Sequence, residues 1–368
     1  MKNTVQLLAL LLIVVVCEIA AKPPAAQDAA SQIKGKIESL QRSLKDKSIS
    51  DPNFAPVNSM AGDSLKAASE ALNAGRLYLS LETLAEASNL LQGARVAEDS
   101  ATVVKGGLPA FESQWGEASL KLTALDQQAQ TRGWDHSSAA IRSLSEAAQG
   151  RSLPLLEGGR GFATATEPKD GLFYLGEAQG EAEFAQFCAT LHLPAKATPF
   201  PLRSLLPELV RLQEKTNAAF QPPRSIELHP RFIALNSTLK LAQELDARKF
   251  YAGALYQYLE AVRHYGMLDA APLDAARQVA VKEAVAAAQT KLAASTRDDS
   301  IAQLFVERAA SQVAHADGSA PSADEWRSAQ VIVEQVLPAY FAAERPASPL
   351  QTASGKTVDI TLVRWPYT

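Results

Sequence analysis

The sequence predicts an all-α protein of stacked helical hairpins that ends in one short β-strand. Three observations support this prediction: alanine is abundant, apolar residues recur at helical spacing, and Gly or Pro ends many of the apolar segments. Alanine has the highest helix propensity, so runs such as 284–288 favour helix. Apolar residues make up 47% of the 368 residues, which is enough for a sizeable core. We expect helix to exceed roughly 65% of the residues, about twice the usual share.

Residues 1–21 have the pattern of a secretory signal peptide. Lys2 supplies a positive charge, residues 7–17 are uninterruptedly apolar, and the small Ala21 precedes a cleavage point. A retained membrane anchor is the weaker alternative. A spanning helix needs about 20 apolar residues, and Glu18 ends the apolar segment before that length is reached. We therefore expect cleavage after Ala21 and export to the periplasm or the extracellular space.

The two cysteines add one alternative and one constraint. Lipid attachment at Cys17 is a further alternative, less favoured because Val16 stands where a small residue normally precedes a lipidated cysteine. After cleavage Cys188 is the only cysteine, so no intramolecular disulfide forms. The stability of the fold then depends on packing.

Amphipathic helices follow a leader of residues 22–30, which is rich in Ala and Pro and expected to be flexible. The clearest unit is a helical hairpin, in which Leu65 and Leu72 lie on the first helix and Leu77 and Leu84 on the second. Gly75 lies between them, and a glycine just past a helix end adopts the left-handed conformation that terminates the helix. Two amphipathic helices around a short turn form an αα-hairpin.

This hairpin resembles the tetratricopeptide repeat over Asn73-Ala74-Gly75-Arg76-Leu77-Tyr78 and the small residue Ser80. A second segment, 246–251, is similar, and Gly253 follows it as the small residue. In this second segment Arg248 stands where the turn glycine is expected, and the later positions are shifted by one. No regular 34-residue period links the two segments, so a true repeat array is not expected. The resemblance implies helical hairpins similar to tetratricopeptide repeats, and the stack is either tetratricopeptide-like or an irregular α-solenoid or bundle.

Proline-rich segments indicate how the chain is divided, since four prolines lie within 193–207 and two more within 221–223. Pro230 and Pro272 are expected in the first turns of helices, and Ser322 and Glu325 have the spacing of a capping box. In the tail, Val358, Ile360 and Leu362 alternate with polar residues at the period of a β-strand. We predict 1–21 as signal peptide, 22–30 as flexible leader, 31–192 as N-terminal helical domain, 193–229 as Pro-rich linker with one helix, 230–345 as C-terminal helical domain, and 346–368 as tail with a short strand.

Charge and motifs exclude several classes of function. The chain has 36 Lys and Arg against 40 Asp and Glu, a net charge of −4 without a basic cluster, so we expect no nucleic-acid partner. It lacks the HExxH, GxSxG, phosphate-loop and paired CxxC motifs. We therefore expect no cofactor and no bound metal, and no catalytic residue is identified.

Three short patterns are weaker candidates for chemistry. Cys188 and His192 share a helix face but are too few to form a structural zinc site, which needs four ligands. Glu177 and Glu181 also share a face and are expected to point into water. The glycine-rich residues 158–161 lack the full dinucleotide-binding pattern and are better explained by helix packing or a turn.

One helix carries an unusual density of tyrosine. Tyr251, Tyr258 and Tyr265 lie on one stripe, with Leu255 and Val262 between them. The first interpretation is a buried helix, whose hydroxyls reach polar partners at its edge. The second is a groove for a peptide or another small ligand, since helical hairpins often bind through a concave face. Tyr258 is expected to be the more buried ring and Tyr265 the more accessible. The candidate binding residues are Tyr251, Tyr258, Tyr265 and His264.

These observations predict an exported protein of the cell envelope or extracellular space that binds a protein or peptide without catalysing a reaction. The alternative is a hydrolase or lyase that acts on envelope polymers through a dispersed site. In that case Trp115, Trp134 and Trp326 are candidates for stacking on sugars.

Overall fold

The computed structural model describes residues 28–134, 137–164, 168–193, 196, 198–222, 224–268, 271–315 and 318–345. Helix accounts for 80% of the described residues and no sheet occurs among them, which confirms the prediction of an all-α fold. The predicted signal peptide, the lipidation alternative at Cys17 and the predicted strand of the tail lie outside the described residues and stay predictions.

Most helices are joined by connections of fewer than ten residues, and the longest connection lies between the helix that ends at Thr190 and the helix that begins at Leu206. None of the helices in the described part of the chain is both long and apolar enough to cross a membrane. In chain order they are α1 (Ala29–Asp46), α2 (Pro56–Asn73), α3 (Leu77–Glu98), α4 (Ala101–Thr131), α5 (Ala139–Thr164), α6 (Pro168–Thr190), α7 (Leu206–Ala219), α8 (Arg224–Glu227), α9 (His229–Ala247), α10 (Tyr251–Gly266), α11 (Ala275–Ala293), α12 (Ser300–Val313), α13 (Ala323–Val331), a π-helical segment (Ile332–Val336) and α14 (Leu337–Ala343).

Most helix starts follow the sequence signals. Ser322 and Glu325 form the predicted capping box, and Pro230 lies in the first turn of α9. The prediction for Pro272 is wrong, because α11 begins at Ala275, three residues after it. The N-cap is Asp274, whose carboxylate accepts a backbone hydrogen bond at 2.8 Å. α1 begins at Ala29, before the predicted domain start at residue 31.

The first hairpin turn joins α2 to α3 and depends on a glycine. Gly75 has φ +73°, which places it in the left-handed region. Its N–H donates to the carbonyl of Leu72 at 3.0 Å, and the N–H of Arg76 donates to the carbonyl of Ala71 at 2.8 Å. These two bonds satisfy carbonyls that the end of α2 leaves without helical partners.

The turn from α9 to α10 has the same geometry with a lysine in the left-handed position. Lys249 has φ +63°, and the N–H of Phe250 donates to the carbonyl of Leu245 at 2.9 Å. The residue equivalent to Gly75 is therefore Lys249. The comparison of the two sequence segments, which put Arg248 in that position, was shifted by one residue.

Close helix packing in the N-terminal half depends on glycines, because a side chain at these positions would clash with the neighbouring helix. α2 packs against α3, α5 against α6, and α3 against α6. An added Cβ on Gly176 of α6 would lie 2.6 Å from the carbonyl oxygen of Gln92 on α3. Likewise, an added Cβ on Gly159 would lie 2.7 Å from the carbonyl oxygen of Gly171, which supports the helix-packing interpretation of residues 158–161.

One apolar cluster contains buried residues from both predicted helical domains. Ile141 of α5, Leu259 of α10 and Tyr340 of α14 belong to it, and so do Phe200 and Leu205 from the predicted linker. The segments on either side of the linker therefore share a core, while the division into two domains stays a prediction.

Candidate functional site

Helix α10 separates the two cavities that we consider as candidate sites. Its small residue Gly253 lies against α5, where the Gly253 N–H donates to the carboxylate of Glu146 at 2.8 Å. Successive residues of a helix are rotated by about 100°. Tyr258 and Tyr265 therefore project on one side, and His264 projects on the other.

The first cavity, which we call the tyrosine groove, has a volume of about 440 Å³ and lies between α7, α10 and α14. Tyr258, Val262 and Tyr265 of α10 contribute its aromatic and aliphatic surface, and all three side chains are partly buried. Leu212 of α7 and Ala339 of α14 border the same space. The groove thus has an apolar floor from which part of each tyrosine ring is exposed.

Charged side chains surround this floor. Arg211 and Lys215 of α7 and Arg345 after α14 are exposed cations, and Glu208 is the one acidic residue among those that line the groove in the described structure. Glu208 forms an ion pair with Arg203 at 2.6 Å. The rim therefore carries a net positive charge.

Arg203 also organises the rim. Its guanidinium donates to the backbone carbonyl of Arg345 as well as to Glu208, so it connects the end of α14 to the start of α7. Burial, followed by the negative charge of Glu208, raises the pKa of Tyr258 to about 12. The Tyr258 hydroxyl consequently stays protonated at neutral pH and acts as a hydrogen-bond donor and acceptor.

The structure brings together two of the four predicted binding residues. Tyr258 and Tyr265 both line the groove, and both are partly buried, so the expected contrast between a core ring and an accessible ring is small. Tyr251 lies about two turns away at the start of α10 and does not line this groove. His264 borders the second cavity on the opposite side of α10.

An ionic cluster, which we call the Arg308 cluster, lies beside the second cavity. Arg308 of α12 pairs with both Glu82 of α3 and Glu260 of α10, and the Tyr256 hydroxyl donates to Glu82. Arg263 forms a further ion pair with Glu260 at 2.9 Å. Sequence analysis missed this cluster because its members come from three separate helices.

The cluster sets the protonation of its neighbours. Burial raises the pKa of Glu260, but the positive charges of Arg263 and Arg308 outweigh this effect and lower the pKa to about 2. Burial and the charge of Arg263 lower the pKa of His264 to about 4. His264 is therefore neutral at pH 7 while Glu260 is ionised.

The prediction that Glu177 and Glu181 point into water is wrong. Glu181 is buried and accepts two hydrogen bonds from Arg151, at 2.6 and 2.9 Å. Burial, followed by the charge of Glu181, raises the pKa of Glu177 to about 7. The reason lies in the glycines, since an added Cβ on Gly93 would lie 2.8 Å from the Glu177 side chain. The close approach of α3 therefore covers Glu177, and Arg151 of α5 pairs with Glu181, on a face that the sequence alone leaves exposed.

The remaining sequence candidates do not converge on a site. Cys188 is fully buried, and burial raises the pKa of its thiol, whereas the His192 ring is bonded to the carbonyl of Thr190. Within the described residues no group of three or more His, Cys, Asp or Glu side chains is arranged to hold a metal ion. Trp115 donates to the carbonyl of Leu156 at 3.1 Å and packs against a different apolar cluster from Trp326.

Comparisons with known proteins add no assignment. No protein-family model, no curated protein and no solved structure matches this chain.

Proposed function

We propose that the chain is an exported, non-enzymatic binding protein and that its tyrosine groove receives an acidic peptide segment of a protein partner. The observation that carries this proposal is the combination of partly exposed tyrosine rings with a cationic rim. Tyrosine offers a large apolar ring and a polar tip, and it is enriched among the residues that dominate binding energy.

The charges favour an acidic partner. Lys215 and Arg345 have no ion-pair partner among the described residues, whereas the carboxylate of Glu208 is already neutralised by Arg203. A segment with Asp or Glu side chains, or with a free C-terminal carboxylate, complements this rim. Because the rim charges are exposed, binding should weaken as the salt concentration rises.

The size of the groove favours a short segment. Its volume of 440 Å³ lies in the range of sites for small molecules, and it accommodates a few side chains. Tyr258 and Tyr265 are two turns apart on one helix face, so they present two neighbouring surfaces for apolar side chains of an extended peptide.

Export rests on the N-terminal sequence pattern. A mature N-terminus at Lys22, determined by N-terminal sequencing of protein from the periplasm or the medium, supports it. Intact Met1 on protein found in the cytoplasm contradicts it.

A second function, hydrolysis or cleavage of an envelope polymer, is favoured by one observation. Glu177 has a pKa near 7 beside the ion-paired Glu181, and two carboxylates with separated pKa values are typical of acid–base catalysis. However, Glu177 lies against Gly93 of α3, Glu181 is paired with Arg151 of α5, and neither carboxylate lines the tyrosine groove. Binding is therefore the better-supported function.

The test is fluorescence anisotropy with a short fluorescein-labelled peptide of alternating leucine and glutamate. The same peptide with lysine in place of glutamate is the ligand control. We expect Lys215→Glu combined with Arg345→Glu to weaken binding of the acidic peptide at least about tenfold, which corresponds to about 1.4 kcal/mol. Lys105→Glu changes an exposed lysine on α4 and is expected to have no effect. Equal binding of the two peptides, or an unchanged affinity in the double variant, contradicts the proposal.

A further inference from the structure

The second cavity, which we call the polar cavity, lies on the side of α10 away from the tyrosine groove. It has a volume of about 440 Å³ and is bordered by α3, α9, α10 and α12. Unlike the groove, it is lined mainly by charged, amide and hydroxyl groups, including those of Glu86, Gln257, His264, Arg308 and Gln312. This composition suits a small polar ligand.

The positive charges of the polar cavity are already paired. Arg308 is shared between Glu82 and Glu260, and Arg263 pairs with Glu260. His264 adds no charge at neutral pH because its pKa is lowered to about 4, by burial first and then by the charge of Arg263. An anionic ligand would therefore have to displace carboxylates that hold these arginines.

Three hydrogen-bond acceptors of the same cavity have no partner among the described residues. Gln257 is 6% exposed, and no hydrogen bond joins its side-chain amide to another described residue. The Oε1 atom of Gln312 is buried and lacks a hydrogen-bond donor. Glu86 is exposed and has neither an ion pair nor a hydrogen bond in the described structure. A buried amide oxygen without a donor is rare in folded proteins, and either a bound ligand or an ordered water supplies the missing donor.

We infer that the polar cavity is a binding site for a primary ammonium group carried by a small polar molecule. An ammonium group has three N–H donors and no acceptor, which matches the three acceptors offered by Gln257, Gln312 and Glu86. The charges agree, because Glu82, Glu86 and Glu260 outnumber Arg263 and Arg308 by one. This inference does not depend on the tyrosine groove, since the two cavities have no lining residue in common.

Isothermal titration calorimetry tests the inference with 1,4-diaminobutane as the probe and 1,4-butanediol as its neutral counterpart. We expect the diamine to bind and the diol to bind at least about tenfold more weakly, because an ammonium group forms stronger hydrogen bonds to these acceptors than a neutral hydroxyl does. Glu86→Gln removes the unpaired carboxylate and is expected to weaken diamine binding about tenfold or more. Glu283→Gln, on the exposed face of α11, is the matched control and leaves the affinity unchanged.

Gln312→Leu distinguishes a ligand site from an acceptor that is satisfied by water alone. If the ammonium group binds, this variant folds with wild-type helicity by circular dichroism and binds the diamine about tenfold more weakly. Equal affinities for diamine and diol, no diamine binding at millimolar concentration, or wild-type diamine affinity in both Glu86→Gln and Gln312→Leu overturns the inference. Lys215→Glu combined with Arg345→Glu should leave diamine binding intact, so failure of the peptide proposal is distinguishable from failure of this one.

Discussion

The left-handed lysine in the α9–α10 turn leads to a quantitative prediction. Lys249 has φ +63°, its side chain is exposed, and no described residue bonds to it. A non-glycine residue in this conformation costs roughly 1–2 kcal/mol because its Cβ crowds the following carbonyl. We therefore expect Lys249→Gly to stabilise the fold even though it removes a side chain.

The expected gain is smaller than the strain, because glycine also increases the conformational freedom of the unfolded chain. That second effect destabilises by about 0.4–1 kcal/mol. The net prediction is an increase of about 0.5–1 kcal/mol in the free energy of unfolding. Urea denaturation followed by circular dichroism at 222 nm measures this difference from the shift of the midpoint at constant slope.

Gly75→Ala is the matched control at the equivalent position of the α2–α3 turn. Gly75 has φ +73°, and an added Cβ there meets no atom within 4 Å, so the substitution tests the backbone conformation without a steric clash. We expect it to destabilise by about 0.5–1 kcal/mol, the reverse of Lys249→Gly. If Lys249→Gly is neutral or destabilising while Gly75→Ala behaves as expected, the equivalence of the two turns is refuted.

Three further predictions follow from burial and charge. Glu177 has a pKa near 7 in the fold against 4.5 for the unperturbed group, so folding favours its protonated form, and stability from this group rises as pH falls from about 7 to 4.5. Glu177→Gln should therefore stabilise the fold at pH 8 by about 1–2 kcal/mol, a value reduced from the full pKa shift because the Glu177 carboxylate is partly exposed. The same substitution should have little effect at pH 4. Urea denaturation at both pH values measures the difference. Tyr258→Ala and Tyr265→Ala should each lower the free energy of unfolding by about 1–2 kcal/mol and remove peptide binding. Tyr340 is fully buried, so Tyr340→Ala should lower it by about 3–5 kcal/mol. Equal losses for the three variants in thermal melts contradict the groove. Arg308→Met should cost about 3–5 kcal/mol because it leaves the Glu82 carboxylate without its ion-pair partner and Glu260 with Arg263 alone. A wild-type melting temperature argues against the ionic cluster.

Local sequence signals were sufficient for the helices and several of their ends. The left-handed Gly75 and the Ser322–Glu325 capping box act through neighbouring residues of the chain. Such signals are readable in one sequence because their partners lie within about one helical turn. The tyrosine stripe is readable for the same reason, since helical geometry alone places Tyr258 and Tyr265 on one face.

Only the tertiary structure decided what covers each face. The face of α6 with Glu177 and Glu181 was expected to be solvated, yet Glu177 packs against Gly93 of α3, and Glu181 is buried with Arg151 of α5 as its partner. Likewise, His264 and Tyr265 are neighbours in the sequence, but only the packing of the other helices shows that they border different cavities.

The Arg308 cluster marks the limit of inference from this sequence. Glu82, Glu260 and Arg308 lie on three helices and are separated by up to 226 positions. Each is an ordinary charged residue of an amphipathic helix when considered alone. Helix periodicity determines the direction in which a side chain points, whereas the partner it meets depends on how distant helices pack, and that packing is set by the whole core.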